Sequence, residues 1–150
     1  SVDLGIPASI PEQYVPDLST RLSVYRKLAE ITAQAEAASM QDELVDRFGP
    51  LPWQVQNLLY TVRLKLLANE AGVRSIARQE GVIVLRLHDE TGGARNALQR
   101  LLGRTVAVGN NQVRLVLGRL TDGWEGPLVS TVEKLAEFRV RMGAELGAGV

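Results

Sequence analysis

The sequence contains no cysteine and a single histidine, His88. Without cysteine the chain forms no disulfide, holds no thiolate-bound metal and offers no thiol nucleophile. His88 stands beside Asp89 and Glu90 but lacks the further ligands of a metal site and the partners of a catalytic triad. We therefore interpret it as a surface residue. The sequence predicts no catalytic residue, no metal site and no bound cofactor.

An excess of one charge and long apolar runs are also missing. The 17 Lys and Arg residues balance the 17 Asp and Glu residues, whereas a dedicated nucleic-acid module carries a basic excess. No apolar run approaches the roughly 18 to 20 residues of a membrane span, and no signal peptide opens the chain. These features indicate a cytoplasmic protein with no membrane partner. Since the sequence starts at Ser1 without an initiator Met, we predict a fragment of a longer polypeptide.

Glycine-rich phosphate loops are absent as well. Thr91–Arg95 precedes a predicted helix, but the sequence has no Walker lysine pattern and no G-x-G-x-x-G after a strand, so a plain turn is the simpler interpretation. Five arginines of the β-rich half form either a solvated polar face or a contact for nucleic-acid phosphate. They are Arg95, Arg100, Arg104, Arg114 and Arg119.

The first half of the chain is predicted to be helical. Three prolines in residues 1–16 predict an extended linker arm, because proline removes backbone donors. Asp17 can cap the first helix. Apolar residues spaced by four predict a second helix over residues 35–48, which Gly49 ends. A third helix then runs to Gly72.

After residue 72 the apolar period changes to two, which is typical of strands. Two hairpins, over residues 73–87 and 105–117, flank a short helix, and a last helix follows. The order is three N-terminal helices followed by a β-β-α-β-β-α unit. This order predicts an α+β fold with a small antiparallel sheet covered by helices. We expect one domain over residues 17–146 and a frayed tail at 147–150.

Acidic residues cluster near the end of the second helix. Asp42 and Asp46 lie one turn apart, and Glu43 and Arg47 adjoin them. Like charges on one helix face repel each other, and the helix dipole disfavours anions near the C-terminus. The residues themselves leave two interpretations open: an ordinary solvated face, or a patch kept for a basic partner.

Three phrases resemble the TRCF domain, the C-terminal domain of the bacterial transcription-repair coupling factors. The first is the proline-containing approach Ile6–Asp17. The second and most specific is Glu43–Pro52 (ELVDRFGPLP), which matches the pattern E-L-x-D-R-F-G-x-L-P. The third is Asn57–Ala68 (NLLYTVRLKLLA). The resemblance is specific from residue 4 to about 72 and is one of layout beyond that.

The resemblance implies a parent protein that is an ATP-dependent DNA translocase, acts on stalled RNA polymerase and recruits excision repair through UvrA. No motor motif occurs in this chain, so we expect the domain itself not to be an enzyme. In the family, this domain packs on the UvrB-like module of the same polypeptide and hides the UvrA-binding surface. We therefore expect a regulatory, autoinhibitory domain that does not contact DNA.

The resemblance also gives the acidic cluster a role. Glu43 and Asp46, supported by Asp42 and Arg47, are expected to face arginines of the UvrB-like module. The alternative is an accessory nucleic-acid contact module that uses the five arginines of the β-rich half.

Overall fold

The chain divides into two units in a computed structural model that describes residues 1–148, the last five of them only as helical backbone. The helical unit comprises Gly5–Leu66. The sheet unit comprises Ser1–Leu4 and the chain from Leu67 onward. The domain boundaries drawn from the sequence stay predictions, and the last two residues of the expected tail lie outside the described residues.

Three helices build the helical unit: α1 (Leu18–Ala29), α2 (Gln34–Phe48) and α3 (Trp53–Ala71), whose last residues belong to the sheet unit. Asp17 caps α1 as predicted, since its Oδ2 accepts a hydrogen bond from the amide of Thr20 at 2.9 Å. Gly49 ends α2 with a φ of +91°, a conformation that glycine adopts without Cβ strain.

The core of the helical unit includes side chains from the segment before α1 as well as from the three helices. Ile10 and Val15 in that segment are buried, and the amide of Ile10 donates to the Tyr25 hydroxyl at 2.7 Å. The buried members of this core are Ile10, Val15, Val24, Leu28, Met40, Leu44, Val55 and Leu59.

The sheet unit contains five strands: β1 (Val2–Asp3), β2 (Val73–Gln79), β3 (Val82–Leu87), β4 (Val106–Val108) and β5 (Gln112–Val116). Their spatial order is β1-β2-β3-β5-β4, and every pair is antiparallel except β1 with β2. As predicted, helix α4 (Arg95–Leu102) lies between the two hairpins in sequence, and helix α5 (Glu125–Ala148) follows the second hairpin. The predicted α+β class is confirmed.

Strand β1 is the element that the sequence did not predict, and it makes the sheet mixed rather than antiparallel. Val2 pairs with Ile76 and Asp3 with Ala77. The terminal ammonium of Ser1 also donates to the carbonyl of Arg74 at 3.1 Å. A strand of two residues is too short to show an alternation of apolar and polar side chains.

One face of the sheet is buried along cross-strand rows. Ile76 pairs with Leu85, and Leu85 pairs with Val113 in turn. All three side chains are at most 1% exposed. Helices α4 and α5 add further buried apolar side chains to this unit. They are Leu98, Leu102, Leu128, Val132 and Leu135.

Candidate functional site

The acidic patch, defined as Asp42, Glu43 and Asp46, lies on the last two turns of α2. Met40 and Leu44 turn into the core of the helical unit, and the patch residues occupy the helix positions beside this buried stripe. Asp42 and Asp46 are exposed, and Glu43 is half-buried. The patch is therefore held on a helix whose rotation is fixed by core packing.

Glu43 contacts two cations. Its Oε1 lies 3.8 Å from Lys27 Nζ of α1 and 3.6 Å from Arg47 Nη1, one turn further along α2. These side chains are 40% to 51% exposed, so each ion pair contributes at most about 1 kcal/mol. Arg47 also offsets the unfavourable position of the carboxylates near the helix C-terminus. Glu43 thus already has two cations of the domain beside it.

Asp42 and Asp46 differ from Glu43, because neither forms an ion pair or side-chain hydrogen bond with any described residue. They project from the same face one helical turn apart. Two adjacent carboxylates without an internal cation have all their acceptor positions available for an arginine or lysine of a partner. The structure thus brings Glu43 and Arg47 together and leaves Asp42 and Asp46 open. Their contact with another module stays a prediction.

Tyr14 holds the end of α2 in place, a role that no pattern in the sequence indicates. Its hydroxyl donates to the carbonyl of Gly49 at 2.8 Å and also lies 3.0 Å from the carbonyl of Leu44. Its ring packs on Phe48 at 5.7 Å between centroids. Burial raises the pKa of Tyr14 above its ordinary value. The partners lie at least 30 residues away in sequence, so no local spacing reveals them.

Val45 adds an apolar element to the patch. It is 43% exposed and stands between Asp42 and Asp46 in sequence. Val45 also borders a groove of about 520 Å³ between α2 and α3, whose other walls include Leu51 and Tyr60. Val45 occupies the variable position of the ELxDRFG phrase, so the phrase itself does not mark this residue. An apolar residue within an acidic patch suits a partner surface that presents both arginine and apolar side chains.

The five arginines of the alternative interpretation lie on or beside α4, β4 and β5. Arg95 Nε donates to the carbonyl of Val108 at 3.0 Å, and Arg119 Nη1 donates to the carbonyl of Arg104 at 3.0 Å. Two of the five guanidinium groups therefore serve the fold of the sheet unit. Arg100 and Arg114 are exposed. No helix among the described residues has the length and apolar character needed to cross a membrane.

Comparison with known proteins points to one family. The model of the TRCF domain matches residues 4–98. The transcription-repair-coupling factor of Escherichia coli K12 is 38% identical over 84 residues, covering 55% of this chain and 7% of that protein. The same factor of Rickettsia prowazekii is 28% identical over 116 residues (75% and 10%). That of Bacillus subtilis is 24% identical over 148 residues (92% and 13%). The chain thus spans about a tenth of the length of these relatives.

A solved structure supports the same assignment at the level of the fold. The crystal structure of a C-terminal domain of transcription-repair coupling factor superposes with a TM-score of 0.73. It is 22% identical in sequence, and the match covers 91% of each chain. The family model includes α1 to α3 and the first hairpin of the sheet, and the structural match extends over most of the rest. The chain belongs to the TRCF domain family, whose fold it has.

Proposed function

We propose that this chain is a non-catalytic regulatory domain of a cytoplasmic, ATP-dependent DNA translocase that couples transcription to repair. In this proposal it packs on the UvrB-like module of the same polypeptide and masks the UvrA-binding surface until the motor engages stalled RNA polymerase. The observation that carries the proposal is the pair of open carboxylates, Asp42 and Asp46, inside the ELxDRFG phrase.

A contact that must form and later release is well served by exposed charges. Charge complementarity sets the register and the specificity of such a contact, and water resolvates both surfaces when they separate. A large apolar face would bind as well but would leave a sticky surface exposed in the released state. Val45 supplies a limited apolar contribution, and Asp42 and Asp46 supply the charge.

The three carboxylates of the acidic patch should contribute unequally to the contact with the UvrB-like module. An arginine of the UvrB-like module that approaches Glu43 must compete with Lys27 and Arg47. The same arginine meets no internal competitor at Asp46. Replacement of Asp46 by Asn should therefore weaken the masking contact more than replacement of Glu43 by Gln.

The test uses a full-length coupling factor that carries this domain and measures its affinity for UvrA in the absence of polymerase and DNA. Asp42→Lys with Asp46→Lys should unmask the surface and raise UvrA affinity at least about tenfold, or about 1.4 kcal/mol. The matched control is Glu133→Lys with Glu137→Lys, two exposed carboxylates at the same spacing on α5. The control should leave UvrA affinity unchanged.

Two results would contradict the proposal in different ways. If deletion of the domain raises UvrA affinity but the Asp42 and Asp46 reversal does not, the domain masks UvrA through another surface. If deletion itself leaves UvrA affinity unchanged, the masking role is wrong. Increasing salt should relieve the masking in the unmodified protein, because screening weakens contacts between exposed charges.

A further inference from the structure

A second surface lies in the sheet unit, where a cavity of about 470 Å³ opens beside the end of β3. Its base is apolar and comes from β3, α4 and the later turns of α5. The apolar side chains that line it are Leu87, Leu98, Leu135, Phe138 and Met142. A cavity of this size accommodates one or two large side chains of a partner.

The rim of this cavity carries charges of both signs, with two carboxylates and one guanidinium among its lining residues. Arg139 Nη1 donates to the carbonyls of Asn69 and Glu70 at 3.3 and 3.2 Å, so it caps the C-terminal end of α3. Asp89 and Glu90 are exposed and form no side-chain hydrogen bond or ion pair with the described residues. The carbonyls hold Arg139 at the end of α3 without cancelling its charge, and the two carboxylates outnumber it, so the net charge of the rim is negative.

The interior of the cavity does not suit a polar small molecule. Such ligands are oriented by a few polar groups that converge within the pocket. Here the hydroxyl of Thr91 already donates to the carbonyl of Gly109 at 2.8 Å. No buried side-chain nitrogen or oxygen within the described part of the chain lacks a hydrogen-bond partner. The cavity thus presents apolar surface inside and a net negative charge at its mouth.

We propose that this cavity binds a basic amphipathic helix of a partner protein. One or two large apolar side chains of that helix occupy the cavity over Leu98 and Phe138. A lysine or arginine one turn away pairs with Asp89 or Glu90. This is the helix-in-groove mode, in which apolar anchors supply affinity and flanking charges select the partner. The surface belongs to the sheet unit alone and is independent of the acidic patch on α2.

The probe is a designed helical peptide of about 16 residues with leucines along one face and lysines on the other. A matched peptide keeps the leucines and replaces every lysine by glutamate. Titration of each peptide into the 150-residue chain is followed by amide chemical shifts. The lysine peptide should bind at least about tenfold more tightly, because like charges at the rim repel the other. Its shift changes should fall on residues 87–94 and 138–143.

The decisive variant is Gly143→Phe. Gly143 lines the cavity within α5, and a Cβ added there meets nothing within 4 Å, so the phenyl group blocks the mouth without a clash at its root. Gly126→Phe is the matched control, since Gly126 is also in α5 with open space at its Cβ but outside the cavity lining. Gly143→Phe should abolish lysine-peptide binding, and Gly126→Phe should not affect it.

The charge component has its own variant. Asp89→Asn with Glu90→Gln should reduce the preference for the lysine peptide at least about threefold, whereas Glu133→Gln with Glu137→Gln should leave it unchanged. The proposal is wrong if Gly143→Phe binds the peptide normally, if both peptides bind alike, or if the shift changes fall elsewhere. It is also wrong if the cavity is occupied by a second copy of the chain. Concentration-dependent shifts of the same residues without peptide would show that.

Discussion

The surfaces proposed to bind partners differ in chemistry between the helical unit and the sheet unit. In the helical unit the acidic patch lies on the outside of α2, with Glu43 paired to neighbouring cations and Asp42 and Asp46 open. In the sheet unit a cavity with an apolar base carries open carboxylates only at its rim. Salt screens exposed charges but barely affects apolar burial. The first surface should therefore release its partner readily as salt rises, and the second should retain most of its affinity.

Contacts between residues far apart in sequence position the candidate site of each unit. The end of α2 is fixed by Tyr14, which contacts carbonyls 30 and 35 residues away. The cavity of the sheet unit is lined by β3 and α4 on one side and by the later turns of α5 on the other. Long-range contacts close larger loops and cost more conformational entropy, so they depend more on a well-packed core. Perturbation of the core should therefore show which surface depends on which set of contacts.

The largest effects are expected from truncating one buried side chain in the core of each unit. Leu44→Ala and Leu115→Ala each remove a side chain that is at most 1% exposed and should lower the free energy of unfolding by about 2 to 5 kcal/mol. Native-state hydrogen exchange should accelerate mainly within Gly5–Leu66 for Leu44→Ala, and mainly within β2 to β5 for Leu115→Ala.

The control for this pair is Val140→Ala on α5, a side chain that is 72% exposed, which should change stability by less than about 0.5 kcal/mol. Equal acceleration of exchange along the whole chain in both core variants would show that the two cores unfold together. The helical unit and the sheet unit would then not differ in their stability against unfolding.

Local signals in the sequence predicted most of the fold. The capping role of Asp17 and the ends of α2 and α3 at Gly49 and Gly72 follow from single residues whose chemistry is fixed by the backbone. The hairpins followed from the change of apolar period. Strand β1 did not, because its pairing with β2 joins residues more than 70 positions apart.

The sequence predicts where the candidate site lies but not which contacts its residues form within the domain. The spacing of Asp42 and Asp46 on one face follows from helix geometry, and the structure has both residues exposed. The partnership of Glu43 with Lys27 depends on how α1 packs on α2, which no local pattern encodes. The same applies to Tyr14, whose role depends on where the segment before α1 crosses α2. Whether these residues contact a UvrB-like module stays a prediction.

An effect of intermediate size is expected from alanine at two glycines that each follow a helix, one in each unit. Gly49 and Gly72 each follow a helix with a positive φ, so alanine at either position introduces backbone strain of roughly 1 to 2 kcal/mol. A Cβ at Gly49 meets nothing within 4 Å, whereas one at Gly72 lies 3.2 Å from Arg139 Nε. Gly72→Ala should therefore be the more destabilising of the two in chemical denaturation.

The extra cost at Gly72 should disappear in a double-mutant cycle with Arg139→Ala, because the displaced side chain is then absent. If the cycle shows no coupling, Arg139 moves aside freely and its contact with the end of α3 adds little. That result would also show that Arg139 is not firmly held at the rim of the cavity.

The smallest effect concerns Tyr14 and has a distinctive pH dependence. Tyr14→Phe keeps the packing on Phe48 but removes the hydrogen bond to the carbonyl of Gly49, which should cost about 1 kcal/mol at neutral pH. Burial raises the pKa of Tyr14 above its ordinary value of 10.0. The folded chain therefore keeps a proton that the unfolded chain releases, and the contribution of Tyr14 to stability falls as pH rises through and beyond about 10.

Urea denaturation of both proteins from neutral pH to about pH 11 measures this directly. The two proteins differ only in this hydroxyl, so contributions from the rest of the chain cancel in the difference between the two free energies of unfolding. That difference should be constant below about pH 9 and should shrink above it. A constant difference over the whole range would show that Tyr14 titrates alike in both states. The hydroxyl would then be accessible to water, and the end of α2 that carries Asp46 would be less firmly held than the contacts of Tyr14 imply.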